Sequence, residues 1–268
     1  MNAATFAWLA FAAASQSPVP GEVALRDVAQ AIDAGRFDQA RLMIAQALKA
    51  GANGAQVERL LADLAFAEGN NAEALARYRP LAGQTSPDTA ICEKAVIAAL
   101  RIDAIREASS MIDCATSGPQ ATWRSWNARG VLADIRRDWP EADSAYAKAA
   151  TLSPAEPSLL NNQGWSFVLR GRWTDALQCF EQATKLDPKS MRIANNLELA
   201  EAALSEDLPD RRPGENDRSW AGRLNDAGVA AQLMGDRKRA IAAFTQALEA
   251  SGTWYSLAGD NLEAANHQ

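Results

Sequence analysis

Residues 159–188 read LLNNQGWSFVLRGRWTDALQCFEQATKLDP, and the spacing of small and large side chains along them decides the fold. Gly164 and Ala176 are small, Phe180 is large, Ala183 is small again, Gly171 divides the two halves and Pro188 closes the stretch. The same classes return upstream. The segments Gly35-Arg-Phe-Asp-Gln-Ala40, Gly69-Asn-Asn-Ala-Glu-Ala74, Asp103-Ala-Ile-Arg-Glu-Ala108, Arg137-Asp-Trp-Pro-Glu-Ala142 and Gly171-Arg-Trp-Thr-Asp-Ala176 place their alanines at 40, 74, 108, 142 and 176, a constant period of 34. Four residues beyond each Ala stands a large side chain (Ile44, Tyr78, Ile112, Tyr146, Phe180), and twelve before it a mostly small one (Val28, Ala62, Val96, Gly130, Gly164). A sixth copy, with Gly228, Gly235, Ala240, Phe244 and Ala247, follows after a phase break of four residues.

This spacing predicts a helix, a tight turn and an antiparallel helix in every copy. Gly35, Gly69, Gly171 and Gly235 supply the left-handed residue that ends a helix, and Asp138 with Glu141 three residues on predicts a capped start for the next. The paired small positions let two helix axes approach at the short end of the usual range of about 8–10 Å. Pro154 and Pro188 stop the second helix of their copies. A period in this range, carried by helix pairs that cannot bury their apolar faces alone, signals a solenoid.

The copy at 159–188, with Leu160, Gly164, Phe167, Ala176, Phe180, Ala183 and Pro188 in place, closely resembles the tetratricopeptide repeat. The resemblance covers about residues 21–190 and 221–254, with 89–122 the most divergent copy. It implies an all-α, right-handed superhelical solenoid of antiparallel helix pairs whose first helices line a concave groove. The expected organisation is a leader at 1–14, a flexible segment at 15–20, five repeats over 21–190, a capping helix at 191–206, a charged linker at 207–220, a sixth repeat at 221–254, and a capping helix and tail at 255–268.

Composition excludes much chemistry. The chain has 268 residues, a formal charge of −6 and a single histidine, His267. One terminal imidazole leaves no Ser-His-Asp or Cys-His arrangement and no histidine-ligated metal. The acidic balance lacks the basic footprint that nucleic acid requires. Three scattered cysteines make neither a zinc site nor a disulfide framework. Cys92 and Cys114 fall at the same end of one helix pair but on different faces, and an oxidising compartment would leave a bond between them open. No enzyme, cofactor, metal or small-molecule substrate is expected.

Residues 3–14, AATFAWLAFAAA, precede the first charge at Glu22. They are too short to span a hydrocarbon core of roughly 30 Å as a helix but fit the apolar core of a secretory leader, with Ala12 and Ala14 as a small-x-small cleavage pattern. A periplasmic chain is expected, touching membrane only through that leader if it is retained; a leader that fails to act leaves the chain cytoplasmic.

By the resemblance, groove-facing positions include Arg124, Asn127, Asp134, Asn161, Asn162, Trp165, Asn225 and Asp226. Asn recurs at the fifth position of three copies (Asn127, Asn161, Asn225), and an amide both donates to and accepts from an extended peptide backbone. Trp165 either anchors such a ligand or packs between repeats. The carboxylate-clamp pattern of some tetratricopeptide proteins is absent, because the ninth positions are Ala29, Asp63, Ile97, Val131, Trp165 and Val229. Residues 159–177 with NNLELAEAAL at 195–204, and RLNDAGVAAQLMGDRKRAIAAF at 223–244, resemble the TadD-type proteins of tight-adherence (Flp) pilus assembly. The reading is a non-catalytic scaffold of the cell envelope that binds a protein or peptide. The alternative is a periplasmic holdase that grips unfolded chains.

Overall fold

The structure is a computed structural model that describes residues 20–84, 88–205, 207–251 and 255–267. The leader-like stretch at 1–14 lies outside the described residues. Among those described there are fourteen α-helices and no strand, so the all-α expectation holds. The chain divides into two compact units, residues 1–102 and 103–268.

The first unit contains α1 (Pro20–Asp33), α2 (Phe37–Lys49), α3 (Ala55–Ala67), α4 (Asn71–Ala82) and α5 (Thr89–Arg101). Helices α1 and α2 form one pair and α3 and α4 the next, with α5 packed on α4. Each pair turns where the sequence places glycine. Gly35 has φ +69° and Gly69 φ +81°, and the Arg36 N–H reaches back to the carbonyl of Ala31 at 2.9 Å. This wrap-around bond satisfies a carbonyl that the helix end leaves without a partner. Buried Val28, Ile32, Ala40, Ile44, Val57 and Leu60 make the apolar cluster between the first pair and α3.

The second unit contains α6 (Ile105–Ala115), α7 (Trp123–Ile135), α8 (Trp139–Leu152), α9 (Pro157–Leu169), α10 (Trp173–Leu186), α11 (Met191–Leu204), α12 (Asp217–Leu233), α13 (Arg237–Ala250) and α14 (Ser256–His267). Its pairs are α7/α8, α9/α10 and α12/α13. Asp138 caps α8 through the N–H of Glu141, at 3.3 Å. Within each pair a glycine faces a ring. A Cβ added at Gly130 would lie 2.6 Å from the Tyr146 ring, at Gly164 2.5 Å from Phe180, and at Gly228 2.4 Å from Phe244. All three rings are at most 1% exposed. These pairs close on their rings only because the opposite helix carries no side chain there.

The turn between α7 and α8 has no glycine. Arg137 takes the left-handed place with φ +57°, which costs an L-residue with a Cβ roughly 1–2 kcal/mol. Glycine relieves that strain but gives back part of the gain through the freedom of its unfolded chain. Arg137→Gly is therefore expected to stabilise by about 0.5–1 kcal/mol, read as a rise in the urea midpoint. No change or a fall would contradict the strain argument.

Helix α11 is followed by a connecting segment and then α12, the first helix of the last pair, rather than by a second helix of its own. Its buried Leu199, Ala200 and Ala203 meet Val168, Trp173 and Phe180 on one side and Ala230 of α12 on the other. Helix α12 begins at Asp217, inside the stretch read as linker. Asn216 accepts the Ser219 N–H at 2.9 Å, and this N-cap sets the start four residues early. The connecting segment is tied down by its flanks. The Trp220 indole donates to the Pro209 carbonyl at 3.0 Å, Arg223 donates to the Asp210 carbonyl at 3.1 Å and to Glu215 at 2.9 Å, and Arg239 donates to the Ala202 carbonyl at 2.9 Å. The Arg212 N–H and the Arg223 guanidinium hold the Glu215 carboxyl below its usual range. No described helix is long and apolar enough to cross a membrane.

Candidate interaction groove

In the second unit, α7 and α9 lie side by side as the first helices of adjacent repeats, with α8 behind them. Between them opens a cavity of about 430 Å³. Its walls are Val131 and Ile135 from α7, Trp165 and Leu169 from α9, and Trp139 from α8; Asp134 and Tyr146 form the floor, and Asn162 and Arg137 the rim. Trp165 is 39% exposed, Leu169 47% and Ile135 49%. Trp165 and Leu169 share a face because they are four residues apart on one helix. Large apolar side chains held open beside a buried polar floor are the makings of a protein-binding hot spot.

The floor is built by the repeat itself. Tyr146 occupies the large position opposite Gly130, and its hydroxyl donates to Asp134 at 2.7 Å. Ser166 donates to the other carboxylate oxygen at 2.6 Å. Asp134 is only 6% exposed. Burial raises its carboxyl above the usual range, against the opposing pull of the two hydroxyls, and burial also pushes the Tyr146 phenol well up. The buried cation nearby, Arg170, donates to Ser166 Oγ at 3.1 Å and pulls the Asp134 carboxyl down through space, while its bonds to a carboxylate go to another residue. It grips Asp143 with two bonds of 2.9 and 2.8 Å and stacks at 4.8 Å on Phe167 and 5.6 Å on Trp139.

Three of the residues singled out in the sequence, Asp134, Asn162 and Trp165, converge on this cavity. The others do not line it. Arg124 is exposed at the start of α7, 4.6 Å above the Trp123 ring. The amide ladder is real but turned on itself. Asn162 donates to Asn127 at 3.1 Å, Asn196 to Asn161 at 2.8 Å, and Asn261 to Asn225 at 2.9 Å. Asn161 and Asn225 are 4% and 2% exposed. Each of these amides bonds one about a repeat away on the next helix of the same face, so they stitch α7 to α9, α9 to α11 and α12 to α14, and a buried amide without such a partner would be costly. Trp139, Tyr146 and Ser166 were not legible as site residues. Trp139 and Tyr146 stand at positions whose ordinary task is packing, and Ser166 becomes polar floor only once α9 is laid against α7.

Asp226, the remaining candidate, is half-buried on α12. Burial lifts its carboxyl to about 6, opposed by a hydrogen bond from Asn225 and reinforced by Glu198. The folded chain therefore holds a proton that the unfolded chain releases near pH 4, and stability falls as pH rises from about 4 to 6. Asp226→Asn is expected to stabilise by about 1–2 kcal/mol at pH 7, after discounting the shift for partial exposure. The gain should vanish below pH 4. Urea midpoints at pH 3.5 and 7 measure it, and an equal gain at both would refute the assignment.

The first unit holds a polar counterpart, a cavity of about 470 Å³ lined by Leu25, Arg26, Asp33, Arg59, Asp63 and Lys94 among others. Here Tyr78, at the repeat position of Tyr146, donates to Asp63 at 2.5 Å. Lys94 donates to the same carboxylate at 2.6 Å.

The family comparisons agree with this architecture. Residues 30–88 and 157–190 match family models described as tetratricopeptide repeat, so these two segments carry tetratricopeptide repeats. Among solved structures it is similar to PilW, described as a widely conserved type IV pilus biogenesis factor, with a TM-score of 0.57, 13% identity, and 93% of this chain and 100% of that one covered. It is similar to a tetratricopeptide repeat protein from Parabacteroides merdae, with a TM-score of 0.56, 15% identity, and coverage of 92% and 98%. It is also similar to pilF of Pseudomonas aeruginosa, with a TM-score of 0.53, 14% identity, and coverage of 92% and 96%. At these identities the likeness is one of fold. No curated protein sequence matches the chain.

Proposed function

We propose that this chain is a non-catalytic scaffold of the bacterial cell envelope, and that it binds a protein partner at the cavity between α7 and α9. The observation that carries the reading is the exposed wall of Ile135, Trp165 and Leu169 around the buried Asp134. A solenoid face of this kind supplies contact area and one anchoring pocket rather than reacting groups. The envelope placement is supported by the leader-like residues 1–14 and their Ala12-x-Ala14 pattern. A role in pilus or secretion-system assembly, of the tight-adherence kind, is supported by the stretches at 159–177, 195–204 and 223–244. The fold shared with PilW and pilF is compatible with it.

A photo-crosslinking amino acid in place of Trp165, in cells, tests the reading. A single dominant protein adduct is the expected result. A broad smear of clients would favour the holdase, and no adduct at all would overturn groove binding. The first residue of the purified chain tests export: Ser15 or a neighbour is expected, whereas a chain that keeps Met1 and fractionates with cytosol contradicts it.

A further inference from the structure

The two Tyr–Asp pairs of this chain are completed differently. Tyr78 and Tyr146 stand at the same repeat position, two periods apart, and each donates its hydroxyl to a carboxylate on the first helix of its own repeat. In the first unit the next first helix supplies an ammonium: Lys94 reaches Asp63 at 2.6 Å. Two periods beyond Lys94 the chain carries Asn162, whose shorter side chain turns to Asn127 at 3.1 Å. The carboxylate of Asp134 stands about one helical turn beyond the place of Asp63 in its repeat; it keeps two hydroxyl donors and has no cation bonded to it, the Arg170 guanidinium reaching only as far as Ser166 Oγ at 3.1 Å, and open space lies above it.

We propose that this cavity receives a lysine side chain of a protein partner, its ammonium bonding the Asp134 carboxylate as Lys94 bonds that of Asp63. The inference rests on the reading that the cavity is a docking site. The complementarity has three parts. Asp134 is more than nine-tenths buried and points into the cavity, where a charge-assisted bond is stronger than on the surface. Val131, Ile135 and Leu169 offer an apolar sleeve to a four-carbon stem, which lysine buries readily while its head stays polar. The exposed Trp165 face stands where a cation gains from the ring. Of the two arginines nearby, Arg170 is paired with Asp143 at 2.8 Å, and Arg137 is exposed on the rim, where water and salt screen it.

The full chain, with the Trp165 and Trp139 indole N–H signals as reporters, tests this against acetylated and amidated pentapeptides Ala-Ala-X-Ala-Ala. With X lysine, the Trp165 signal is expected to move and saturate. With norleucine, which keeps the stem and lacks the charge, binding should be at least tenfold weaker. Asn162→Lys supplies the cation in cis: it should raise the melting midpoint by about 3 °C and abolish the response to the lysine peptide. Norleucine binding as well as lysine, silence toward the lysine peptide, or an unaltered response in Asn162→Lys would each overturn the proposal. If the peptides fail while the crosslink at position 165 persists, the docking site stands and its lysine specificity falls. Loss of the crosslink is what removes the site itself.

Discussion

Phe180→Ala is expected to destabilise the second unit by about 3–5 kcal/mol, the range for emptying a fully buried aromatic site. The ring is 0% exposed and joins Val168, Trp173, Leu199 and Ala200 in one cluster that spans α9, α10, α11 and α12. Its facing glycine makes the prediction sharper. Gly164→Ala brings a Cβ to 2.5 Å from that ring, an overlap that a ring enclosed on all sides cannot avoid by rotating. Helix propensity favours the substitution by about 1 kcal/mol, while overpacking costs about 1–3 kcal/mol, so the net effect is destabilising. In the Phe180→Ala background the clash is gone and part of the cavity is filled, so Gly164→Ala should then stabilise. That reversal of sign, measured by urea unfolding of the four proteins of the cycle, isolates the glycine–ring contact from everything else. Additive effects would show that the close approach is not what holds the pair.

The second large effect is on binding. Trp165→Ala should weaken the complex with the partner captured at that position by about thirtyfold, corresponding to a hot-spot contribution of about 2 kcal/mol. It should leave the melting midpoint nearly unchanged, because the indole is 39% exposed. Titration of the purified partner against both proteins separates the two quantities. Equal affinities would remove Trp165 from the interface, and a large fall in the midpoint would return it to the core.

The fold was legible because its determinants are periodic. Ala40, Ala74, Ala142 and Ala176 are all 0% exposed, as helix crossings at one spacing require, and Ala108 is buried as deeply. Gly35, Gly69, Gly171 and Gly235 all take the positive φ that their place before a turn implies. The site was legible only in part. Asp134, Asn162 and Trp165 were assignable to the groove face through the resemblance, which implies which positions of a repeat face the groove. What Asn127, Asn161 and Asn225 do with their amides depends on which residue of the next repeat stands opposite, and that is set by the stacking of one pair on another. The same limit hid the Tyr146–Asp134–Ser166 floor, whose three members come from α8, α7 and α9. Where the period breaks, pattern also loses its hold: α12 starts at Asp217 because Asn216 caps it, a local contest between cap and linker that no repeat alignment decides.

The central claim is that the partner sits between α7 and α9, and the positional dependence of crosslinking in cells addresses it most directly. A photo-crosslinking residue at 165 and at 169, on the cavity wall, should capture the same protein. At Gln182, exposed on α10 and outside the cavity lining, it should capture none of it. Capture from position 182 as strong as from 165 and 169, or from 182 alone, would contradict the account.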